Sequence, residues 1–158
     1  MLYILIAIGL FAIDWKIKNY VEQNHKVGHK KDILDGKVTL KKQYNKGFCL
    51  NILDDKVGIV KKVSALVFTL LVFAFLLILP QKNKCLKKLG LSICLGGAAS
   101  NVLERFKRGY VIDYFSINYK SLKKLVFNLA DIFVIIGSGI VFLYSLFSNK
   151  QDYCNLNS

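Results

Sequence analysis

Proline is almost missing from this chain: Pro80 is the only one in 158 residues. There is also no Pro-, Gly- or Ser-rich linker and no internal repeat, so nothing divides the sequence into two domains. Acidic residues are scarce, 10 against 23 lysines and arginines, which leaves a formal charge of +13. In a soluble protein that excess would first suggest nucleic-acid binding. No helix-turn-helix, zinc-finger or RNA-binding pattern is present, however, and the lysines lie between apolar blocks, where anionic lipid headgroups suit them better. The four cysteines (Cys49, Cys85, Cys94, Cys154) have neither CxxC nor Cys/His ligand spacing, which speaks against a disulfide framework or a zinc site. His25 and His29 are four apart and lack a third ligand. No metal and no cofactor are expected.

What the chain does have is apolar runs, with 54% hydrophobic residues gathered into blocks. Blocks of about 17–25 residues are what a bilayer demands, because backbone groups cannot be left unpaired in lipid. The first run, Met1–Ile13, is short enough for a signal-peptide core. No basic residue precedes it and no small-x-small cleavage site follows, and the helical pattern continues to Tyr20. Val63–Leu79 is free of charge and ends at Pro80. Leu89–Leu103 is rich in small residues (Gly90, Gly96, Gly97, Ala98, Ala99, Ser100) that let helices approach closely. Leu125–Phe147 is the fourth run, with Gly137 and Gly139 read as packing positions. The expected architecture is an all-α integral membrane protein. It has one polytopic domain over residues 1-158, with spans at 1-20, 63-79, 89-103 and 125-147 and polar loops at 21-62 and 104-124.

In the first loop, Lys37–Leu40 and Phe48–Leu53 read as strands around a turn at Tyr44–Gly47, a small β-hairpin or cradle on the membrane surface. Residues 106–124 read as an amphipathic connector.

Charged residues within a membrane span cost roughly 2.5–3.5 kcal/mol each on insertion scales, so they are rare without a task. Asp14 and Lys18 are four apart, on one helix face and able to pair, although their place near a span end also fits snorkelling to the headgroups. Asn101 and Arg105 share a face of the third run, where Arg105 also suits the helix C-terminus. Asn128 and Asp131 share a face of the fourth. With four alternating spans, all of these fall on one side of the bilayer, together with Asn45 and Asp113 in the loops. Snorkelling residues would not choose one side in this way. Most of the 23 basic residues lie on that side as well. A literal positive-inside count would therefore make it cytoplasmic, whereas the acid-free lysine loop at 81–88 argues the reverse.

These motifs resemble the bacterial lipoprotein signal peptidases (signal peptidase II), four-span aspartyl peptidases. Asp14 and Lys18 are similar to the family's Asp-x-x-x-Lys. Asn45 and Gly47 are similar to its Asn-x-Gly box, and Gly96-Gly97-Ala98 with Asn101 and Arg105 to its third-span signature. Gly109, Val111 and Asp113 match Gly-x-Val-x-Asp, while Phe127-Asn128, Ala130 and Asp131 match Phe-Asn-x-Ala-Asp. Three positions depart from the pattern: Ser100 and Glu104, where the family usually has Gly and Asp, and Leu50, where it usually has Phe.

The resemblance implies an endopeptidase that removes signal peptides from diacylglyceryl-cysteine prolipoproteins, with Asp113 and Asp131 as catalytic carboxylates. Asp14, Lys18, Asn45, Gly47, Asn101, Arg105, Asn128 and Ala130 would be supporting or substrate-binding residues, and Glu104 is given no role. It also implies a cell-membrane location with cytoplasmic termini and an extracytoplasmic cradle between helices 1 and 2. The expected partners are lipid-modified prolipoproteins, membrane lipids and globomycin-type inhibitors, with no nucleic acid, and the chain is expected to be a monomer. The alternative is a non-catalytic polytopic protein, a transporter-like or assembly subunit or an inactive homologue, that uses the same polar cluster for binding.

Overall fold

The computed structural model describes residues 1–48 and 52–155 of the chain. Among the described residues there are four α-helices: α1 (Leu2–Asn24), α2 (Val57–Ile78), α3 (Cys85–Arg108) and α4 (Leu129–Asn155). Three strands, β1 (Lys30–Ile33), β2 (Val38–Asn45) and β3 (Val111–Ile117), form an antiparallel sheet in the order β1-β2-β3. A short 3-10 turn, Lys120–Lys124, leads from β3 towards α4.

α3 is the centre of the bundle and packs against each of the other three helices. Its small residues explain why. A Cβ on Gly96 would stand 2.8 Å from the Ala7 carbonyl oxygen of α1, and one on Gly97 would collide with the Ala130 carbonyl of α4. Gly90 of α3 and Gly137 of α4 each face the other's carbonyl oxygen. Gly139, by contrast, borders open space, so it does not pack as its sequence neighbourhood suggests.

α2 behaves differently. It buries only Val60, Ser64 and Phe75 and leaves Leu66, Val67, Leu70, Phe73 and Leu77 exposed, as a helix solvated by lipid does. α2 and the Leu129–Phe147 part of α4 are long and apolar enough to cross a membrane. α1 and α3 reach about 35 Å at 1.5 Å per residue, but their buried faces carry charge.

The sheet corrects two expectations. The hairpin turn lies at Leu34–Lys37, where Leu34, Asp35 and Gly36 all take positive φ, and Tyr44 and Asn45 are the end of strand β2 rather than a turn. The turn chemistry of Asp35-Gly36 outweighs that of Asn45-Lys46-Gly47. Half of the expected second strand at Phe48–Leu53 lies outside the described residues, as does the departure at Leu50, while Phe48 and residues 52–53 are not in strand. Nor is residue range 106–124 an amphipathic connector. α3 ends at Gly109, whose φ of 85° closes the helix in the left-handed region as glycine readily does. The β-branched and aromatic run that follows is β3, paired with β2 (Gln43 opposite Asp113, Asn45 opposite Val111). The cradle thus draws on both loops, and the chain is not strictly all-α.

α4 begins at Leu129 rather than at 125. Residues 125–128 approach it in extended form, with Phe127 hydrogen-bonded to β3 through both its amide and its carbonyl. One face of the sheet buries Ile112 and Tyr114 on Val21 of α1, with Ile17 and Leu129 alongside. This small core fixes the sheet over the end of the bundle where α1 and α3 finish and α4 starts.

Candidate active site

Asp113 is the third residue of β3 and is almost wholly buried. Strand alternation turns it away from the Ile112–Tyr114 core, towards the end of β2 and the start of α4. Its two carboxylate oxygens each receive an amide: Asn128 Nδ2 donates to Oδ1 at 2.6 Å, and Asn45 Nδ2 donates to Oδ2 at 3.0 Å. Burial, followed by the Asp131 charge, raises the Asp113 carboxyl to about 7, while the two asparagine donors hold it down in part.

Asp131 occupies the third position of α4. Its amide donates to Asn128 Oδ1 at 3.0 Å, and its Oδ2 receives the Asn128 amide at 3.1 Å, a reciprocal capping box. Its Oδ1 receives Asn101 Nδ2 from α3 at 2.9 Å. The two aspartates, one from a strand and one from a helix, therefore share a neighbour in the fully buried Asn128. Asn128 is the N-cap of α4 and not, as the i, i+3 spacing suggests, part of its face.

The Asp14–Lys18 pair is fully buried, which rules out snorkelling. The ammonium lies 2.9 Å from Asp14 and donates to Asn101 Oδ1 at 2.6 Å, so Asn101 is oriented with its amide towards Asp131. Asp14 in turn accepts the Ala130 amide of α4 at 3.1 Å and the Ser100 hydroxyl. Gly47 donates its amide to Asn45 Oδ1 at 3.1 Å, and its carbonyl receives Arg105 Nη2 at 3.0 Å. Arg105 also lies over the Phe48 ring. The ten residues singled out from the sequence thus form one connected cluster.

Two of the departures belong to it. Glu104 is fully buried, with Oε2 3.2 Å from Lys18 Nζ and receiving the Ile112 amide at 3.0 Å. Its Oε1 lies 3.5 Å from Arg108 Nε, a charge contact without a hydrogen bond. Arg108 reaches on to Asn19 and Glu22, and Glu22 pairs with the buried Lys42 of β2 at 2.8 Å. Sequence reasoning gives Glu104 no role, yet Gly97, Ser100 and Glu104 fall three and four apart, on the helix face that also buries Gly90. That spacing is the available signal. Among the described residues, no group of three or more histidine, cysteine, aspartate or glutamate side chains is placed to hold a metal ion.

The buried Asp113 and the half-buried Asp131 both accept from Asn128, one from its side-chain amide and the other from its backbone amide. Each is held by a second asparagine as well, an arrangement suited to sharing a proton. Comparison with known proteins agrees with the fold and with the family resemblance. A solved bacterial membrane enzyme, determined by the in meso method at 2.3 Å, superposes with a TM-score of 0.82 at 20% identity, over 94% of this chain and 90% of its own. The lipoprotein signal peptidase of Clostridioides difficile is 31% identical over 152 residues, 96% of this chain and 99% of that protein. Its counterpart in Lactobacillus johnsonii is 28% identical over 151 residues, 96% of each chain. The family model of signal peptidase (SPase) II matches residues 6–147, and the chain belongs to that family.

Proposed function

We propose that this protein is a membrane aspartyl endopeptidase that removes signal peptides from diacylglyceryl-cysteine prolipoproteins, with Asp113 and Asp131 as its catalytic pair. The observation that carries the reading is Asn128, which bonds both carboxylates, Asp113 through its side chain and Asp131 through its backbone amide. The Asp131 charge raises the Asp113 carboxyl, and interacting like charges do not both ionise cheaply, so the pair shares one proton and titrates as a unit. Asp113, whose carboxyl is raised to about 7, lets the pair keep that proton up to near neutral pH.

The ionised carboxylate of the pair then draws a proton from a water molecule as the water oxygen attacks the scissile carbonyl, and the protonated one donates its proton to the carbonyl oxygen. Collapse of the tetrahedral species breaks the C–N bond. The leaving amine takes a proton from the pair, and the signal peptide departs with a new carboxyl terminus. Arg105 and Asn45 support the segment around Gly47 at the edge of the site. Lys18, neutralised by Asp14 and Glu104, keeps Asn101 aimed at Asp131.

All four helices cross the bilayer in this reading, forming one polytopic domain in the bacterial cell membrane. The termini are cytoplasmic, and the sheet with its carboxylates lies at the extracytoplasmic face. Support comes from the clustering of the buried polar groups at the finish of α1 and α3 and the start of α4, which is one end of the bundle. The basic loops meet lipid headgroups, globomycin-type cyclic peptides compete for the site, and a single copy of the chain is the working unit. The test is a gel-shift processing assay on a lipid-modified prolipoprotein in membranes. Asp113→Asn and Asp131→Asn each abolish cleavage, and full activity in either variant overturns the pair.

A further inference from the structure

The first amides of an α-helix have no partner within the helix and must find one elsewhere. At α4 the first three are each met by a side-chain oxygen. The Asp131 amide reaches Asn128, the Ala130 amide reaches Asp14 of α1, and the Leu129 amide donates at 3.0 Å to the hydroxyl of Tyr114 on β3. Tyr114 follows Asp113 directly and is 9% exposed, its ring packed in the Val21–Ile112 core. Its own amide donates to the Phe127 carbonyl at 2.9 Å. Tyr114 therefore holds the chain on both sides of Asn128, residue 127 through its backbone and residue 129 through its hydroxyl. Asn128 is the side chain that touches both aspartates.

We propose that Tyr114 is a positioning residue of the peptidase: its hydroxyl receives the first amide of α4 and so fixes Asn128, and through Asn128 the spacing of Asp113 and Asp131. The inference rests on reading those two aspartates as the catalytic pair. The ring alone supplies the packing; the hydroxyl adds a hydrogen bond, accepted from the half-buried Leu129 amide beside the site. Without it the start of α4 is free to shift, and a displacement of about 1 Å in reacting groups costs on the order of a hundredfold in rate.

Tyr114→Phe keeps the packing and removes the hydroxyl, which accepts the Leu129 amide and also lies near the Asp14 carboxylate. A second change, Leu129→Pro, removes the donor instead: proline is well suited to the first helical position, and the extended backbone of an N-cap residue tolerates a proline after it. Both variants and their combination are assayed for processing kinetics in membranes, beside Asp131→Asn. Tyr114→Phe lowers kcat about tenfold or more with KM within about twofold, because alignment and not binding is lost. In the Leu129→Pro background the same change costs less than about threefold, since no amide is left without a partner.

Full kcat in Tyr114→Phe, a loss carried by KM, or an equal loss in both backgrounds overturns the proposal. So does failure of Tyr114→Phe to accumulate in membranes, which would make the hydroxyl a folding requirement. If Leu129→Pro does not accumulate, the kcat–KM split of Tyr114→Phe decides alone. Activity surviving in Asp131→Asn overturns the catalytic pair itself. An inactive Asp131→Asn beside a fully active Tyr114→Phe overturns the Tyr114 inference only.

Discussion

Asn128 and Asp131 cap each other: the amide of each donates to the side chain of the other, at 3.0 and 3.1 Å. The same asparagine donates to Asp113 at 2.6 Å, so a single residue carries both a helix-starting task and a site-organising one. Substitution separates them. Serine caps a helix about as well as asparagine but is too short to reach Asp113. Asn128→Ser therefore keeps a near-native thermal midpoint and loses about a hundredfold in kcat, the scale of a lost donor in an active site. Asn128→Ala loses the same activity and about 1 kcal/mol of stability as well. Thermal unfolding in detergent and processing kinetics, measured on both variants, check the separation.

The pH profile follows from Asp113. Its carboxyl is raised to about 7, chiefly by burial and next by Asp131, and the mechanism needs one proton on the pair. kcat/KM therefore falls as pH rises through about 7, tenfold per unit once that proton is lost. Because the folded value lies above the unfolded one, folding is favoured below the unfolded value and loses that stabilisation as pH rises towards 7. Asn45 donates to the ionised carboxylate, so Asn45→Ala raises the Asp113 value further and moves the alkaline limb to higher pH. A limb that stays in place or moves to lower pH contradicts this account.

The helices and most of the site are legible in the sequence because long apolar runs and charges inside them are strong signals. The third strand is not. Val111–Ile117 pairs with β2 from more than sixty positions away in the chain, and a β partner that distant leaves no local trace beyond β-branched and aromatic residues. Asn128 reads as a helix residue at i, i+3 from Asp131, and that spacing is equally the distance from an N-cap to the third helical position. Glu104 and Ser100 stand out in the sequence only as departures from a pattern. Their burial against Lys18 and Asp14 depends on how α1 meets α3, which spacing along one helix does not reveal.

Glu104 supplies a prediction of its own. Removing one member of a buried ion pair costs about 3–5 kcal/mol, because the other charge stays desolvated. Asp14 still faces Lys18, so Glu104→Gln falls near the low end, about 3 kcal/mol. The change is read as a lower thermal midpoint in detergent. Lys18→Met with Glu104→Gln costs less than the sum of the two single changes, as expected of side chains in contact. Additive losses would mean that the two groups do not interact.

The last prediction concerns two glycines. A Cβ on Gly97 would collide with the Ala130 carbonyl oxygen, backbone that cannot give way as a side chain can, and Ala130 directly precedes Asp131. Gly97→Ala must therefore push α3 and the first turn of α4 apart. That stretches the Asn101–Asp131 hydrogen bond of 2.9 Å and the Asp14–Ala130 bond of 3.1 Å together. Overpacking of this kind costs about 1–3 kcal/mol, and a shift of about 1 Å at Asp131 lowers kcat roughly a hundredfold. At Gly139, on the same helix as Asp131, an added methyl would meet nothing within 4 Å, and alanine is the better helix former there. Gly139→Ala leaves processing unchanged and stability equal or slightly raised. Assayed side by side, the two alanines separate a glycine that the site needs from one that it does not. Equal activity in both variants would mean that the α3–α4 approach does not set the position of Asp131.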